Sequence, residues 1–310
     1  MNVFVTGGTG TIGRALVQHL LERGHHVIGL TRSSESASEL RRLGAGFSAF
    51  PGDLAEPKGW TERAIACDAV IHTAATFTPE MPVIDRKAMQ AIKMAARTRK
   101  HPLRVIYTGG IWLYPPTDKR PLTETVTFEP QPAFTWMKEQ IRSLQTSPNL
   151  SVAIIHPALV CTPTRGPVAE IVKAVQRGQP FRTRASAETV WPLVSAQDLA
   201  KLYGTVLEAR SFRLALLAAA IPGVRVKDLG HRIATRLGGS FELETLRPAP
   251  GTDPRSDFET GYGLSQVVSS RRAISLTGWN PSCRAVDDLI DEVLNSGLDH
   301  PSQSANVKTA

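Results

Sequence analysis

The sequence predicts a Rossmann-type α/β fold, a doubly wound parallel sheet with a small C-terminal substrate lobe, and three observations carry that expectation. Short apolar segments alternate with amphipathic ones from the first residue onward. A glycine-rich turn, Thr6-Gly7-Gly8-Thr9-Gly10-Thr11-Ile12-Gly13, joins the first apolar segment to the first amphipathic one. The chain has 310 residues, 42% of them apolar, which is enough to bury a sheet under helices on both faces.

Val3 to Thr6 reads as a strand, Ile12 to Arg23 as a helix closed by Gly24, and His26 to Thr31 as a second strand. The alternation continues with a helix over Ser34 to Leu43 and strands over Phe47 to Pro51 and Ala69 to Thr73. A helix from Val83 to Lys100, a strand from Arg104 to Thr108, a helix from Phe134 to Gln145 and a strand from Val152 to His156 follow. Strands separated by helices imply parallel pairing through right-handed crossovers, in a sheet of about seven strands. Tyr114 to Pro132, rich in Pro and Thr, reads as a long loop. Pro163 to Pro192 carries one helix, Pro167 to Arg177, and then an irregular basic stretch. Asp198 to Glu208 is helical again, and Leu214 to Ala219 gives a late strand; the longest apolar run, Leu214 to Ile221, reads as a buried strand, too short to cross a bilayer. The expected division is a dinucleotide-binding core over 1–160, completed by 195–220, with a lobe from 161–194 and 222–295 and a disordered tail over 296–310.

The formal net charge is +8, but the Lys and Arg residues are spread along the whole chain. The densest basic stretch, Arg97-Thr98-Arg99-Lys100-His101, ends a helix, where cations suit the dipole. No nucleic-acid or membrane partner is therefore expected. The cysteines, Cys67, Cys161 and Cys283, are isolated and match neither a disulfide framework nor a metal-ligand spacing. A cytoplasmic protein without a metal is expected, since Met1 also leads directly into a strand. His25-His26 reads as a surface turn, and His72 and His156 as core histidines.

In the glycine turn, Gly7 allows the tight bend, Gly10 lets the main chain approach a diphosphate, and Gly13 lets the helix pack on the strand. Thr11 and Ile12 open the helix, whose free N–H groups and positive dipole end face the phosphates. An NAD site would carry Asp or Glu at the end of the second strand. That strand ends Leu30-Thr31-Arg32-Ser33-Ser34, so Arg32 can pair with a 2′-phosphate and Ser33 can donate to it. The expected cofactor is NADP(H) in preference to NAD(H).

These residues resemble the short-chain dehydrogenase/reductase superfamily, in its extended or atypical branch of NAD-dependent epimerase/dehydratase-like proteins. Gly52-Asp53-Leu54 is similar to that family's adenine-contacting motif, which places the Asp53 carboxylate near the adenine amine. His72-Thr73-Ala74-Ala75 resembles the segment beside the cofactor, where small Ala74 and Ala75 leave room for the ribose. His156-Pro157-Ala158-Leu159-Val160 resembles the stretch at the nicotinamide end, so Pro157 and Val160 join the cofactor contacts. Trp191-Pro192-Leu193-Val194 with Asp198-Leu199-Ala200, and Gly278-Trp279-Asn280-Pro281, resemble motifs of the family's second half. The resemblance also implies that a homodimer through two helices is common among similar proteins.

The same resemblance implies a Tyr-x-x-x-Lys pair and a nearby Ser or Thr, with the Tyr passing a proton and the Lys holding the ribose. The best register here is Phe134-Thr135-Trp136-Met137-Lys138, which keeps the Lys and replaces the Tyr, while the Ser position falls on Gly110. The helix position often held by Asn falls near Asp85. Three readings stay open. One is an NADP(H)-dependent oxidoreductase whose proton comes from Thr108, Thr135, Tyr114, Tyr262 or a water, acting on a small apolar substrate. The second is a non-redox isomerase, lyase or epimerase-like enzyme, and the third a non-catalytic NADP(H)-binding sensor. Lys138, Thr108 and Tyr262 are the catalytic candidates, and Trp112, Phe134 and Trp136 form either a water-excluding wall or ordinary core.

Overall fold

The computed structural model of the chain describes residues 1–117, 120–209 and 213–296. Its first half runs β1 (Asn2–Thr6), α1 (Gly13–Glu22), β2 (His26–Thr31), α2 (Ser34–Arg41), β3 (Phe47–Pro51), α3 (Thr61–Ile65), β4 (Ala69–His72), α4 (Met81–Ala95), β5 (Leu103–Thr108), α5 (Trp136–Gln145) and β6 (Leu150–Pro157). The second half runs β7 (Leu159–Cys161), α6 (Pro167–Gln176), β8 (Phe181–Thr183), β9 (Val190–Ser195), α7 (Ala196–Glu208), β10 (Leu214–Ala218), β11 (Ile221–Arg225), α8 (Val226–Leu237), β12 (Leu243–Thr245), α9 (Arg271–Thr277) and α10 (Val286–Ser296). The tail expected to be disordered lies, from residue 297, outside the described residues.

The main sheet has seven parallel strands in the order β10-β6-β5-β4-β1-β2-β3. β4 and β6 are buried along their whole length, because helices cover both faces, and so they read as continuous apolar runs. On α1 the buried residues Ala15, Leu16, Val17 and Leu20 repeat at helical spacing, and each large one stabilises the packing by about 1.5–3 kcal/mol. Gly24, at φ +76°, lets the chain turn into β2 without a Cβ penalty. The strand order reverses between β1 and β4, so the loops leaving their carboxyl ends diverge and open a crevice.

A second sheet, β11-β9-β7, and a two-stranded pair, β12-β8, build the lobe around Trp191, Leu193, Val226, Leu229 and Ile290. Here the structure corrects the sequence reading twice. The run Leu214 to Ile221 is not one strand. Ala219 N–H donates to Ser270 Oγ (2.7 Å) and Ala220 N–H to the Leu193 carbonyl (3.0 Å), so the main chain changes partner and enters the second sheet as β11. The stretch Pro163 to Pro192 is not irregular beyond its helix, since it holds β8 and the start of β9. Pro192 is tolerated inside β9 because it falls between the pairs Leu193↔Ile221 and Trp191↔Val224, where the ladder is already irregular. His25 is also buried rather than a surface turn, with Nε2 at 3.2 Å from Glu208.

Candidate cofactor and substrate cavity

The crevice between β1 and β4 is a cavity of about 700 Å³ that runs from Arg32 and Asp53 at one end to Tyr262 at the other. Its floor is the glycine turn. A Cβ on Gly7, which sits at φ +77°, would lie 2.6 Å from the main chain of Ala74. A Cβ on Gly13 would lie 2.0 Å from the Gly7 carbonyl oxygen. Gly10 N–H donates to that same oxygen (2.9 Å), and beyond it nothing approaches a Cβ built on Gly10, so its outer face is open. Thr11 and Ile12 line the cavity at the start of α1. Bare main chain facing a helix N-terminus fits a dinucleotide diphosphate.

At the outer end, Arg32, Asp53 and Leu54 line the cavity, and Arg32 makes no ion pair among the described residues. Asp53 is ordered by a hydrogen bond from Ala55 N–H (2.8 Å). Ser33 does not reach the cavity. Its hydroxyl caps α2, accepting from Ser36 N–H (3.2 Å), and Ser36 takes the cavity position instead. Ala74 and Ala75 line the middle, and Pro157 and Val160 the far end.

Of the residues expected to be catalytic, Lys138 lies outside the cavity and is exposed, whereas Phe134 and Met137 line it and are buried. Phe134 closes a 3₁₀ turn, Pro132–Phe134, directly before α5. With three residues per turn, the face that Phe134 presents continues at the third residue on, Met137, and not at the fourth. Lys138 therefore does not line the cavity in the position expected of a ribose-holding lysine. Lys138→Ala is expected to change NADPH affinity by no more than about twofold in a fluorescence titration, within the range usual for a surface substitution.

Gly110 carries no hydroxyl, and its N–H donates to His156 Nδ1 (3.3 Å). Its neighbour Gly109 leaves no room for one, because a Cβ there would lie 2.4 Å from His156 Nδ1. Thr108 donates its only hydroxyl hydrogen to the His72 carbonyl (2.7 Å) and so accepts from the buried Tyr203 hydroxyl (2.7 Å). It has no proton left for a substrate. Thr135 and Tyr114 do not line the cavity. Tyr262 does, with its ring 5.0 Å from that of Trp112 and 5.8 Å from that of Trp191. Burial, then the nearby Glu259, pushes its phenol up to about 12.

A buried polar network under the cavity escaped the sequence reading except for the note on Asp85. The Asp85 carboxylate lies 2.9 Å from His72 Nε2 and accepts from the Tyr107 hydroxyl (3.1 Å). His72 Nδ1 in turn lies 2.8 Å from Thr6 Oγ1. Burial, then Asp85, drives the Tyr107 phenol well above its ordinary range, so it stays protonated. Every member has partners, so the network is a rigid wall rather than a free base. Its signal is present in the sequence: Asp85 stands on the buried stripe Met81, Ala88, Met89, Ile92 of α4, where a carboxylate needs a reason.

The end of the cavity near Tyr262 is aromatic. Phe77 meets Phe258 (6.0 Å), Phe258 meets Phe134 (5.8 Å), and Phe134 meets Trp112 (5.5 Å). Trp112, Phe134 and Trp136 all line the cavity, and Phe134 is at the same time part of the main core, against which both tryptophans pack.

Residues 3–214 match the family described as NAD dependent epimerase/dehydratase. The chain is 27% identical over 289 residues to an uncharacterized protein of Schizosaccharomyces pombe, a match spanning 91% of this chain and 95% of that one. It is 41% identical over 75 residues to the 2-alkyl-3-oxoalkanoate reductase of Stenotrophomonas maltophilia, covering 24% of this chain and 22% of that enzyme. In structure it is similar to the UDP-glucose 4-epimerase of Thermus thermophilus in complex with NAD, with a TM-score of 0.75 and 20% identity over 96% of this chain and 100% of that one. It is likewise similar to the UDP-glucuronic acid 4-epimerase of Bacillus cereus, with a TM-score of 0.78 and 16% identity over the same shares.

Proposed function

Because the chain belongs to the NAD dependent epimerase/dehydratase family, we propose that it is an NADP(H)-dependent oxidoreductase that reduces a small apolar carbonyl compound. The observation that supports this most is the continuity of the cavity, which joins the glycine turn to an aromatic compartment with no other charged wall than Asp85 and, at the rim, Arg165. In this reading Gly7, Gly10 and Gly13 receive the diphosphate, Asp53 accepts from the adenine amine, and Arg32 pairs with the 2′-phosphate. The bound dinucleotide supplies a hydride. The aromatic wall excludes water and holds the substrate carbonyl near the ring that delivers it. The relative in Stenotrophomonas maltophilia favours this reading, since it is named as a reductase of a 2-alkyl-3-oxoalkanoate.

Arg32 tests the cofactor half. Arg32→Glu is expected to weaken NADPH binding roughly ten- to hundredfold, the value of a charge-assisted hydrogen bond or two, and to leave NADH binding equal or tighter. Preferential binding of NADH by the unchanged protein would remove the argument. Deuterium-labelled NADPH, supplied with a panel of enones, imines and ketones, tests the redox half, and label in a product supports it. A second reading, dinucleotide binding without turnover, is favoured by Phe134 and Met137, which bring neither a proton nor a cation to the cavity. Tight NADPH binding with no label transferred to any acceptor decides for that second reading.

A further inference from the structure

Resting on the redox reading, we propose that Tyr262, supplied by the lobe, is the proton donor of this site. The argument is one of elimination followed by placement. Hydroxyls facing the cavity are numerous, but nearly all are committed. Tyr107 donates to Asp85 (3.1 Å), Thr108 to the His72 carbonyl, and Thr73 to the Thr6 carbonyl (2.8 Å). Thr76 is paired with Thr78 (3.1 Å). Thr9 and Thr11 belong to the diphosphate turn, at the wrong end for the reacting atoms. Tyr262 lines the far end, and its hydroxyl makes no hydrogen bond among the described residues.

Its placement is built rather than incidental. The Tyr262 carbonyl accepts from Trp191 Nε1 (2.8 Å), which ties the turn Phe258–Gly263 to β9. Gly261 is obligatory in that turn, since a Cβ there would lie 2.1 Å from the Trp112 ring. The bare Gly261 lets Trp112 press against the turn, and Trp112 then separates Tyr262 from Phe134 by a single ring. The phenol missing from position 134 on the helix side is thus present one aromatic layer away, on the lobe side.

The protonation state fits that role. Burial, then the nearby Glu259, raises this phenol to about 12, so it is held protonated near neutral pH and can donate to an oxygen that gains charge. In the step proposed, the carbonyl carbon gains the hydride and the C=O π pair moves onto oxygen. That oxygen takes the Tyr262 proton, giving the alcohol and the oxidised dinucleotide. The tyrosinate then regains a proton from water at the cavity mouth.

The test uses the full chain with deuterium-labelled NADPH and 9,10-phenanthrenequinone, a planar, apolar, activated dicarbonyl, beside the panel named above. Tyr262→Phe keeps the ring between Trp112 and Trp191, so the NADPH dissociation constant should stay within about twofold while kcat falls about a hundredfold. The unchanged protein should turn over more slowly in deuterated water, and the variant should lose that solvent effect. A Tyr262→Phe protein that transfers label at the original rate overturns the assignment and leaves the redox reading standing. If the unchanged protein binds NADPH but labels neither the quinone nor any member of the panel, the redox reading falls and the assignment falls with it.

Discussion

A Gly13→Val protein should bind neither NADPH nor NADH at concentrations that saturate the unchanged chain. The valine Cβ would start 2.0 Å from the Gly7 oxygen, 2.7 Å from the Gly7 carbon and 2.8 Å from the Gly8 Cα. All three are main-chain atoms, so no side chain can swing aside. α1 would have to lift off β1, taking with it the N–H groups of Thr11 and Ile12 that face the diphosphate. Overpacking of this kind costs about 1–3 kcal/mol in stability, and the loss of affinity should exceed a hundredfold, because every phosphate contact moves at once. Gly24→Ala is the matched control. Gly24 has a positive φ, +76°, which Gly13 does not, and nothing lies within 4 Å of its added Cβ. It should cost about 1 kcal/mol of backbone strain and leave dinucleotide affinity unchanged. Fluorescence titration and thermal melting of the two proteins separate steric loss of the site from general destabilisation.

The second large effect is expected at Asp198, far from the cofactor. Its carboxylate is fully buried at the start of α7 and accepts from Ser282 N–H (2.8 Å), Cys283 N–H (2.9 Å) and Lys201 Nζ (2.9 Å). Its carbonyl accepts from Trp279 Nε1 (2.8 Å). Asp198 thus fastens the Gly278-Trp279-Asn280-Pro281 segment, and α10 beyond it, to the core. Asp198→Ala would leave two N–H groups and one ammonium without their acceptor, a loss of about 3–5 kcal/mol. At about 2–4 °C per kcal/mol for a chain of this class, the melting temperature should fall by roughly 6–20 °C. The pH dependence has a definite sign. Burial alone would raise this carboxyl, but the N–H groups of Cys283 and Ser282 and the Lys201 ammonium outweigh it and hold it below the usual range. Its contribution is fully present above the ordinary aspartate value of about 4 and is lost as pH falls through the depressed one. The gap in stability between the unchanged protein and Asp198→Ala should therefore be wide at pH 7 and narrow at pH 3. Denaturant melts at the two pH values check it.

The main sheet and its glycine turn were legible because they are written locally. A strand, a glycine turn and a helix stand consecutively in residues 3–23. The lobe was hard to read because its strands are short, three of them three residues long, and its sheet is assembled from segments some thirty residues apart, β7, β9 and β11. No periodicity develops in three residues. Lys138 lies off the cavity lining for a different reason. Counting four residues from Phe134 assumes an α-helix across a junction that begins as a 3₁₀ turn, and that geometry is not written in residue types. The Asp85 network was half legible, because the charge on an apolar stripe is visible in sequence, but its partners His72 and Tyr107 come from two other strands. Tyr262 could be nominated and not chosen, since the commitment of Thr108 to the His72 carbonyl and Tyr203 exists only in three dimensions.

The lobe is sewn to the core rather than hung from it. One residue, Ala158, separates β6 from β7, and its N–H is held by the Ala218 carbonyl (2.9 Å). Two residues separate β10 from β11, and Ser195 both ends β9 and caps α7. A jaw-like rotation of the lobe would have to be absorbed within connections of one or two residues, and it would strain the Ala158–Ala218 bond that crosses between them. Phe77, at φ +51° and 55% exposed, lines the cavity away from these stitches.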